Sequence, residues 1–404
     1  MEEKKKVPEL RFPGFEGEWE EKKLSSLTTI IKRTSNNFIE NILTISAGKG
    51  FIHQKERFSQ IIAGNSLSKY THLLKNEFSY NRGNSQMFTY GCIYRLKDEE
   101  ALVPNVYHSF RFNEGIPGFF EQFFIGKHLD RQLRRIISSS ARMDGLLNIG
   151  QNEFFNVKIS FPTLPEQTKI ANFLSDIDLK IEKLTRKKEL MEQYKKGMMQ
   201  KLFSREIRFK DENGNDYPPW QEKRLFKICT SFIVPMRDKP KKLNGDIPWC
   251  RIEDFQGKYL SGSLTNQGVS TETVKEMNLK VYPIGTVLVS CSANLGRCAI
   301  VKRELVTNQT FIGIVPNKML LDKEFLFYVM TVNSKKLQSL SSGTTISYLS
   351  REEFENFTIK LPFLKEQTKI ANFLSNLDKK IELIDKELCA VKEFKKGLLQ
   401  KMFV

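Results

Sequence analysis

With 404 residues, the chain has room for two or three ordinary domains, each able to bury its own core. Its 64 Lys+Arg against 47 Asp+Glu leave a formal charge of +17, which favours a polyanionic partner, nucleic acid before an anionic membrane face. The 31 Phe and 11 Tyr exclude a disordered basic tail, and no apolar run approaches the roughly 18 residues of a membrane-spanning helix.

The opening residues Met1-Glu2-Glu3-Lys4-Lys5-Lys6 lack the apolar core of a secretion signal. Cys92, Cys229, Cys250, Cys291, Cys298 and Cys389 follow no disulfide or zinc spacing. Reduced thiols in a cytoplasmic protein are therefore expected. From about residue 20 to 160, short β-rich runs such as Cys92-Ile93-Tyr94-Arg95-Leu96 alternate with turns and short helical stretches. From Pro165 to Phe203 the pattern becomes helical. Ile170, Leu174, Ile177, Ile181, Leu184, Lys188, Met191, Lys195, Met198 and Leu202 recur at 4-3 spacing, the seam of a coiled coil. Lysines at three seam positions of the two helices (Lys188, Lys195 and Lys395) weaken that core locally and help fix register.

Arg205 to Pro219 reads as a turn-rich linker, and a second β-rich block follows from about 221 to 360. The helix then returns. Glu166 to Ser175 recurs letter for letter at Glu366 to Ser375, and Lys195-Lys196-Gly197 recurs as Lys395-Lys396-Gly397. Approaches match too: Trp19 with Glu21-Lys22-Lys23-Leu24 parallels Trp220 with Glu222-Lys223-Arg224-Leu225. A repeat this long, half the chain apart, means two domain-sized halves rather than a solenoid. The implied partition is a first variable block over 1–160, a helical spacer over 161–204, a linker over 205–220, a second block over 221–360 and a second spacer over 361–404. The two helices, each of roughly 58 Å at 1.5 Å per residue, are expected to pair with one another. Two separate helices, each lying on its own domain, is the alternative.

Common catalytic apparatus is missing. No Gly-rich phosphate loop continues into Lys-Ser/Thr, and Gly48-Lys49-Gly50 reads as a turn. His53, His72, His108 and His128 all lie in the first half and none has metal-ligand spacing. No methyltransferase motif or nuclease carboxylate cluster stands out. The residues point to a binding or scaffolding chain without a cofactor of its own.

Two unlike blocks separated by two near-identical helices, each opened by Leu-Pro/Lys-Glu-Gln-Thr-Lys-Ile-Ala-Asn-Phe-Leu (Leu164 to Leu174, Leu364 to Leu374), resemble the DNA-specificity subunit of bacterial type I restriction-modification systems. The strand-like approaches Ile159-Ser160-Phe161-Pro162 and Ile359-Lys360-Leu361-Pro362 and the tail Tyr194 to Phe203 share in the likeness. Lys365, in place of Pro165, is the one departure. The resemblance implies an α+β architecture: two globular target-recognition domains separated by two long helices that pair as an antiparallel coiled coil, with an internal pseudo-two-fold repeat. It also implies that each domain reads one half of a split, asymmetric sequence in double-stranded DNA. Two methyltransferase subunits would dock on the chain and motor-nuclease subunits would join for cleavage. S-adenosylmethionine, ATP and magnesium would belong to those partners, and no membrane is involved.

Residues 165–203 and 365–403 hold 9 basic and 6 acidic residues each, so a net +11 falls on the blocks and their flanks. In the first block, Tyr80, Asn81, Arg82, Asn84, Ser85 and Gln86 combine groups that read base edges, Arg to guanine and Asn or Gln to adenine. Ser292, Asn294 and Arg297 occupy the corresponding place in the second. Before each helix, Arg142 in Ser138 to Arg142, and Ser342, Thr344 and Thr345 in Ser341 to Thr345, suit phosphate contact. A solvated turn, or a helix cap for the last two, is the competing reading of each. Lys239-Pro240-Lys241-Lys242 fits either a backbone contact or a solvated loop, and Trp19 and Trp220 fit core anchors. Against DNA recognition stand a coiled-coil scaffold with protein-binding ends and an enzyme with an unrecognised site.

Overall fold

The computed structural model describes residues 6–34, 39–57, 64–83, 85–137, 147–235, 239–291, 294–340 and 349–404. The chain forms two compact units, Met1–Arg186 with Lys386–Val404, and Lys187–Asp385. Each unit therefore contains the beginning of one long helix and the end of the other.

In the first unit, Glu20–Lys23 pairs antiparallel with Lys158–Phe161, tying the entry of the domain to its exit. The domain's main sheet runs in the order Thr28–Ile30, His108–Phe112, Phe78–Asn81, Cys92–Arg95, all antiparallel. Alternation along the central strand sends Phe78 and Tyr80 to one face and Ser79 to the other, where its hydroxyl lies 2.8 Å from that of Ser109. The helix Pro117–Ile125 begins with the one residue whose missing N–H costs nothing in a first turn. It covers the aromatic face with Phe119, Phe120, Phe123 and Phe124. A hairpin, Leu43–Ser46 with Gly50–His53, and a second antiparallel pair, Thr71–Leu74 with Glu100–Val103, enclose a smaller core around Ile45, Leu73 and Val103.

The second unit repeats this design with different residues. Its foot is Gln221–Arg224 on Thr358–Leu361, in the matching register. Its sheet runs Cys229–Ile233, Phe311–Pro316, Val287–Ser290, Cys298–Val301, with Tyr259–Leu260 added in parallel at the edge. The helix Lys323–Val332 takes the place of Pro117–Ile125, capped by Asp322, whose side chain accepts from the Phe325 N–H at 2.8 Å. Trp220 packs edge-on against Phe325 as Trp19 packs against Phe119. Both tryptophans are buried, as expected of core anchors.

The long helices span Leu164–Ser204 and Leu364–Lys401. Their first seam residues serve the local domain: Ile170 and Leu174 join the first unit's core, and Ile370, Leu374 and Leu377 the second's. Their last residues do the reverse, Leu398 and Met402 entering the first unit's core and Leu202 the second's. In the second unit Lys188 meets Asp385 and Lys195 meets Asp378, a seven-residue advance on one helix matched by a seven-residue retreat on the other. In the first unit Lys395 meets Asp178 at 2.6 Å and Lys180 meets Glu387 at 3.1 Å. The pairing is antiparallel, and each seam lysine has a carboxylate.

The repeated Glu-Gln at each helix start is a structural clamp. Glu166 and Glu366 are fully buried, and each takes two hydrogen bonds from one guanidinium, Arg11 (2.8 and 2.8 Å) or Arg208 (3.0 and 2.7 Å). Gln167 and Gln367 bridge the carbonyl of Pro162 or Pro362 to the N–H of Ile116 or Asp322. Phe12 packs edge-on against Phe173 and Phe209 against Phe373. Leu10-Arg11-Phe12 is thus repeated as Ile207-Arg208-Phe209, so the turn-rich stretch after the first helix includes a second copy of the chain's opening segment. Among the described residues, no helix is long and apolar enough to cross a membrane.

Candidate nucleic-acid interface

In both domains the central strand of the sheet runs out into a polar loop. The carbonyl of Arg82, just past Phe78–Asn81, accepts from the Leu147 N–H at 2.9 Å; the carbonyl of Cys291, just past Val287–Ser290, accepts from the Leu349 N–H at 2.9 Å. Each candidate loop thus lies beside the chain that leaves the hydroxyl-bearing segment before the helix, in both units alike. Asn84, Ser138 to Arg142 with its Arg142, Ser292, and Ser341 to Thr345 with Ser342, Thr344 and Thr345 lie outside the described residues.

The described candidates divide by environment. Tyr80 faces the core: its ring stacks on Phe154 at 4.4 Å and its hydroxyl donates to the Tyr90 carbonyl at 2.7 Å, so the loop starts beyond it. Asn81 shapes the turn, accepting from the Gly83 N–H at 3.0 Å. The Arg82 guanidinium reaches the carbonyls of Ile149 and Val106, each at 3.3 Å, and ties the loop to its neighbours. Burial first, and the Arg82 charge second, push the adjacent His108 down to about 4. Ser85 accepts from the Phe88 N–H at 3.0 Å and closes the turn, which leaves Gln86 exposed at its tip. In the second unit Asn294 adopts a left-handed conformation (φ 53°) at an exposed turn. Arg297 is exposed and donates to the Phe255 carbonyl.

Two basic groups join this surface that no local sequence signal marks. Lys49 sits exposed on the Gly48-Lys49-Gly50 turn. Gly48 takes a left-handed conformation (φ 84°) that favours glycine, and the turn lies against the Met87 side chain of the loop. Lys127 donates to the Met87 carbonyl at 2.5 Å and lies 4.8 Å over the Phe88 ring. On the second domain, Lys239 and Arg251 both lie 5.7 Å from the buried Trp249 ring, and Lys241 and Lys242 are exposed beside them.

The chain thus carries two domains of one strand order, each with a different polar loop and each followed by a copy of the same long helix. The family model for the type I restriction modification DNA specificity domain matches the chain twice, over residues 16–192 and 218–393. The chain belongs to that family. Among its relatives, the type I restriction enzyme MjaIX specificity subunit of Methanocaldococcus jannaschii is 31% identical over 45% of this chain and 43% of its own length. The MjaVIII specificity subunit of the same organism is 25% identical over 65% of each. In both cases the match spans less than two thirds of the relative. The S subunit of a type I restriction-modification system from M. genitalium superposes with a TM-score of 0.61 at 17% identity, covering 98% of this chain and 99% of that one. A chain from a structure of complex assembly and conformational transition in a type I R-M system gives 0.56 at 17% identity, with the same coverage. At that identity the two structures speak for the fold.

Proposed function

We propose that this chain is the non-catalytic specificity subunit of a type I restriction-modification complex. Each recognition domain reads one half of a split, asymmetric duplex target, and the paired helices set the distance between halves. Adenine methylation and cleavage are carried out by partners, two methyltransferase subunits and motor-nuclease subunits, which hold the S-adenosylmethionine, ATP and magnesium; the setting is the cytoplasm. One observation carries the reading: the helix and its clamp are repeated nearly unchanged, while two domains of the same strand order carry unlike loops. Matched parts suit a spacer with two equivalent docking sides, and unlike loops suit two different DNA words. For reading bases we favour Gln86, Asn294 and Arg297 with Asn84 and Ser292, and for phosphates Arg142, Ser342, Thr344, Thr345, Lys49 and Lys127. Asn81, Arg82 and Ser85 shape the first loop. A scaffold with protein-binding ends leaves both the surplus charge on the domains and the family match without a role.

The test is the map of methylated adenines in a host carrying this chain with its methyltransferase. A bipartite motif with a fixed gap is expected. In vitro, one base pair added to the gap should abolish binding by the assembled complex. Binding that tolerates any gap would refute the spacer, and turnover by the purified chain alone would refute the assignment of catalysis to partners.

A further inference from the structure

Each domain's helix is tied to its long helix at two points. The first is the clamp glutamine: the Ile116 and Asp322 N–H groups donate to Gln167 and Gln367 at 3.0 and 2.9 Å. The second lies six residues further along the domain's chain and eleven further along the long helix, in both units alike. Gln122 Nε2 donates to Asp178 at 2.8 Å, and the Tyr328 hydroxyl donates to Asp378 at 2.5 Å. Burial first, and the bond to Asp378 second, hold the Tyr328 hydroxyl far above its ordinary value, so it remains a donor. On the long helix the two points are about 16 Å apart at 1.5 Å per residue.

The same carboxylates carry the helix pairing. Lys395 meets Asp178 at 2.6 Å, and Lys195 meets Asp378. Each aspartate is therefore a junction of three elements: its own helix, the helix paired with it, and the domain helix. Aspartate and lysine come from the repeated sequence, whereas the domain supplies an amide in one unit and a phenol in the other. Unlike domains reach the same acceptor with unlike donors. The second unit adds a further tie, Lys258 Nζ donating to Ser375 at 2.7 Å.

Stability alone does not account for Gln122. It is 4% exposed, and its Oε1 is buried without a hydrogen-bond partner among the described residues. An amide so placed forfeits hydrogen bonds that an apolar side chain of its length would not lose. What it contributes is direction. Apolar burial is non-directional, whereas hydrogen bonds at two separated points hold the domain helix at one angle.

We propose that Asp178 and Asp378 are positioning residues for DNA reading: each holds its recognition domain at a fixed angle on the paired helices, so the gap between half-sites is set at these junctions as well as by helix length. This rests on the functional reading above. The experiment uses the full chain assembled with its methyltransferase. Gln122→Met removes the domain's arm of the first junction and leaves Lys395 on Asp178; Tyr328→Phe does the same in the second, where Lys258 still holds. Methylation rates are compared on duplexes with the gap found in the methylation map and with that gap changed by one base pair. Activity on the altered gaps, relative to the mapped one, should rise at least roughly fivefold in Gln122→Met, less in Tyr328→Phe and most in the double variant. The rate on the mapped gap and the Tm should change little. Ile93→Val, which trims a buried residue of the first domain's sheet, is the stability control and should keep the gap preference. An unchanged preference in Gln122→Met overturns the proposal, as does a change that Ile93→Val shares. An equal loss of rate on every duplex also overturns it, since that marks a purely structural residue. If the unaltered complex methylates no bipartite motif, the functional reading falls and this proposal with it; a bipartite motif with the preference unchanged overturns this proposal alone.

Discussion

Removing Arg11 should cost the protein more than removing its repeat counterpart Arg208, although the two clamps look alike. Glu166 and Glu366 are 1% and 0% exposed, and their guanidinium partners 15% and 25%. Taking one partner from a buried ion pair leaves an uncompensated charge, at about 3–5 kcal/mol. The clamps differ in what remains. Trp220 Nε1 donates to Glu366 at 3.1 Å, whereas Trp19 Nε1 has no hydrogen-bond partner among the described residues. A hydrogen bond to a charged group contributes about 1.5–3 kcal/mol. Arg11→Met should therefore destabilise the first unit by about 3–5 kcal/mol, and Arg208→Met the second by about 1–3 kcal/mol. At about 2–4 °C per kcal/mol for units of this size, the first loss is roughly a 10 °C fall in Tm. Differential scanning calorimetry of the full chain reads it, and tryptophan fluorescence in urea gives a second measure. Glu166→Gln in the Arg11→Met background should recover at least half of the loss, since a neutral amide is less costly to bury unpaired than a carboxylate. Equal losses for the two arginines, or no recovery with glutamine, would refute the reasoning.

Other outcomes follow from the seam, the histidines and the loops. Lys395→Glu sets two carboxylates together at a position 9% exposed and should cost about 1–3 kcal/mol; adding Asp178→Lys should restore most of the Tm. His108 is held down to about 4 by burial and the Arg82 charge, and burial also lowers His128. Because their neutral forms are favoured on folding, that stability is present above the ordinary histidine value of about 6.5 and is lost as pH falls toward 4. All four histidines lie between residues 53 and 128, so urea titrations from pH 7 to 5 should show a histidine-dependent weakening of the first unit that His108→Gln reduces. If Arg297 reads a base, Arg297→Ala in the assembled complex should relax one position of one half-site by about 1–3 kcal/mol, visible in the methylation map. A uniform loss across sequences would make it a phosphate contact instead.

The helices and their pairing were legible because a 4-3 spacing sustained over ten positions belongs to a coiled-coil seam and to little else. The seam lysines were legible as oddities, but their carboxylates were not, since Asp378 and Asp385 lie outside the 4-3 series. The shared strand order of the domains was hidden. A strand needs only alternation and bulk, so Phe78-Ser79-Tyr80-Asn81 and Val287-Leu288-Val289-Ser290 perform one role with no position in common. Arg11 and Arg208 were missed for a different reason: two matching letters, Arg-Phe, are too few to notice until the buried glutamates show what they serve. Tyr80 was read into the loop because sequence cannot locate the last core residue of a strand. Lys49 and Lys127 reach the loop through long-range packing alone.

The exchange of helix ends also bears on synthesis. The second unit, Lys187–Asp385, is contiguous and complete once its last helical turns leave the ribosome. The first is not. Its core waits for Leu398, Leu399, Met402 and Phe403, which pack against Trp19, Phe119 and Phe123, while His128 Nε2 lies 2.8 Å from the Leu399 carbonyl. The domain translated first is therefore the one whose core is finished last, and a chain that stops before Leu398 lacks residues that pack with Trp19 and Phe119.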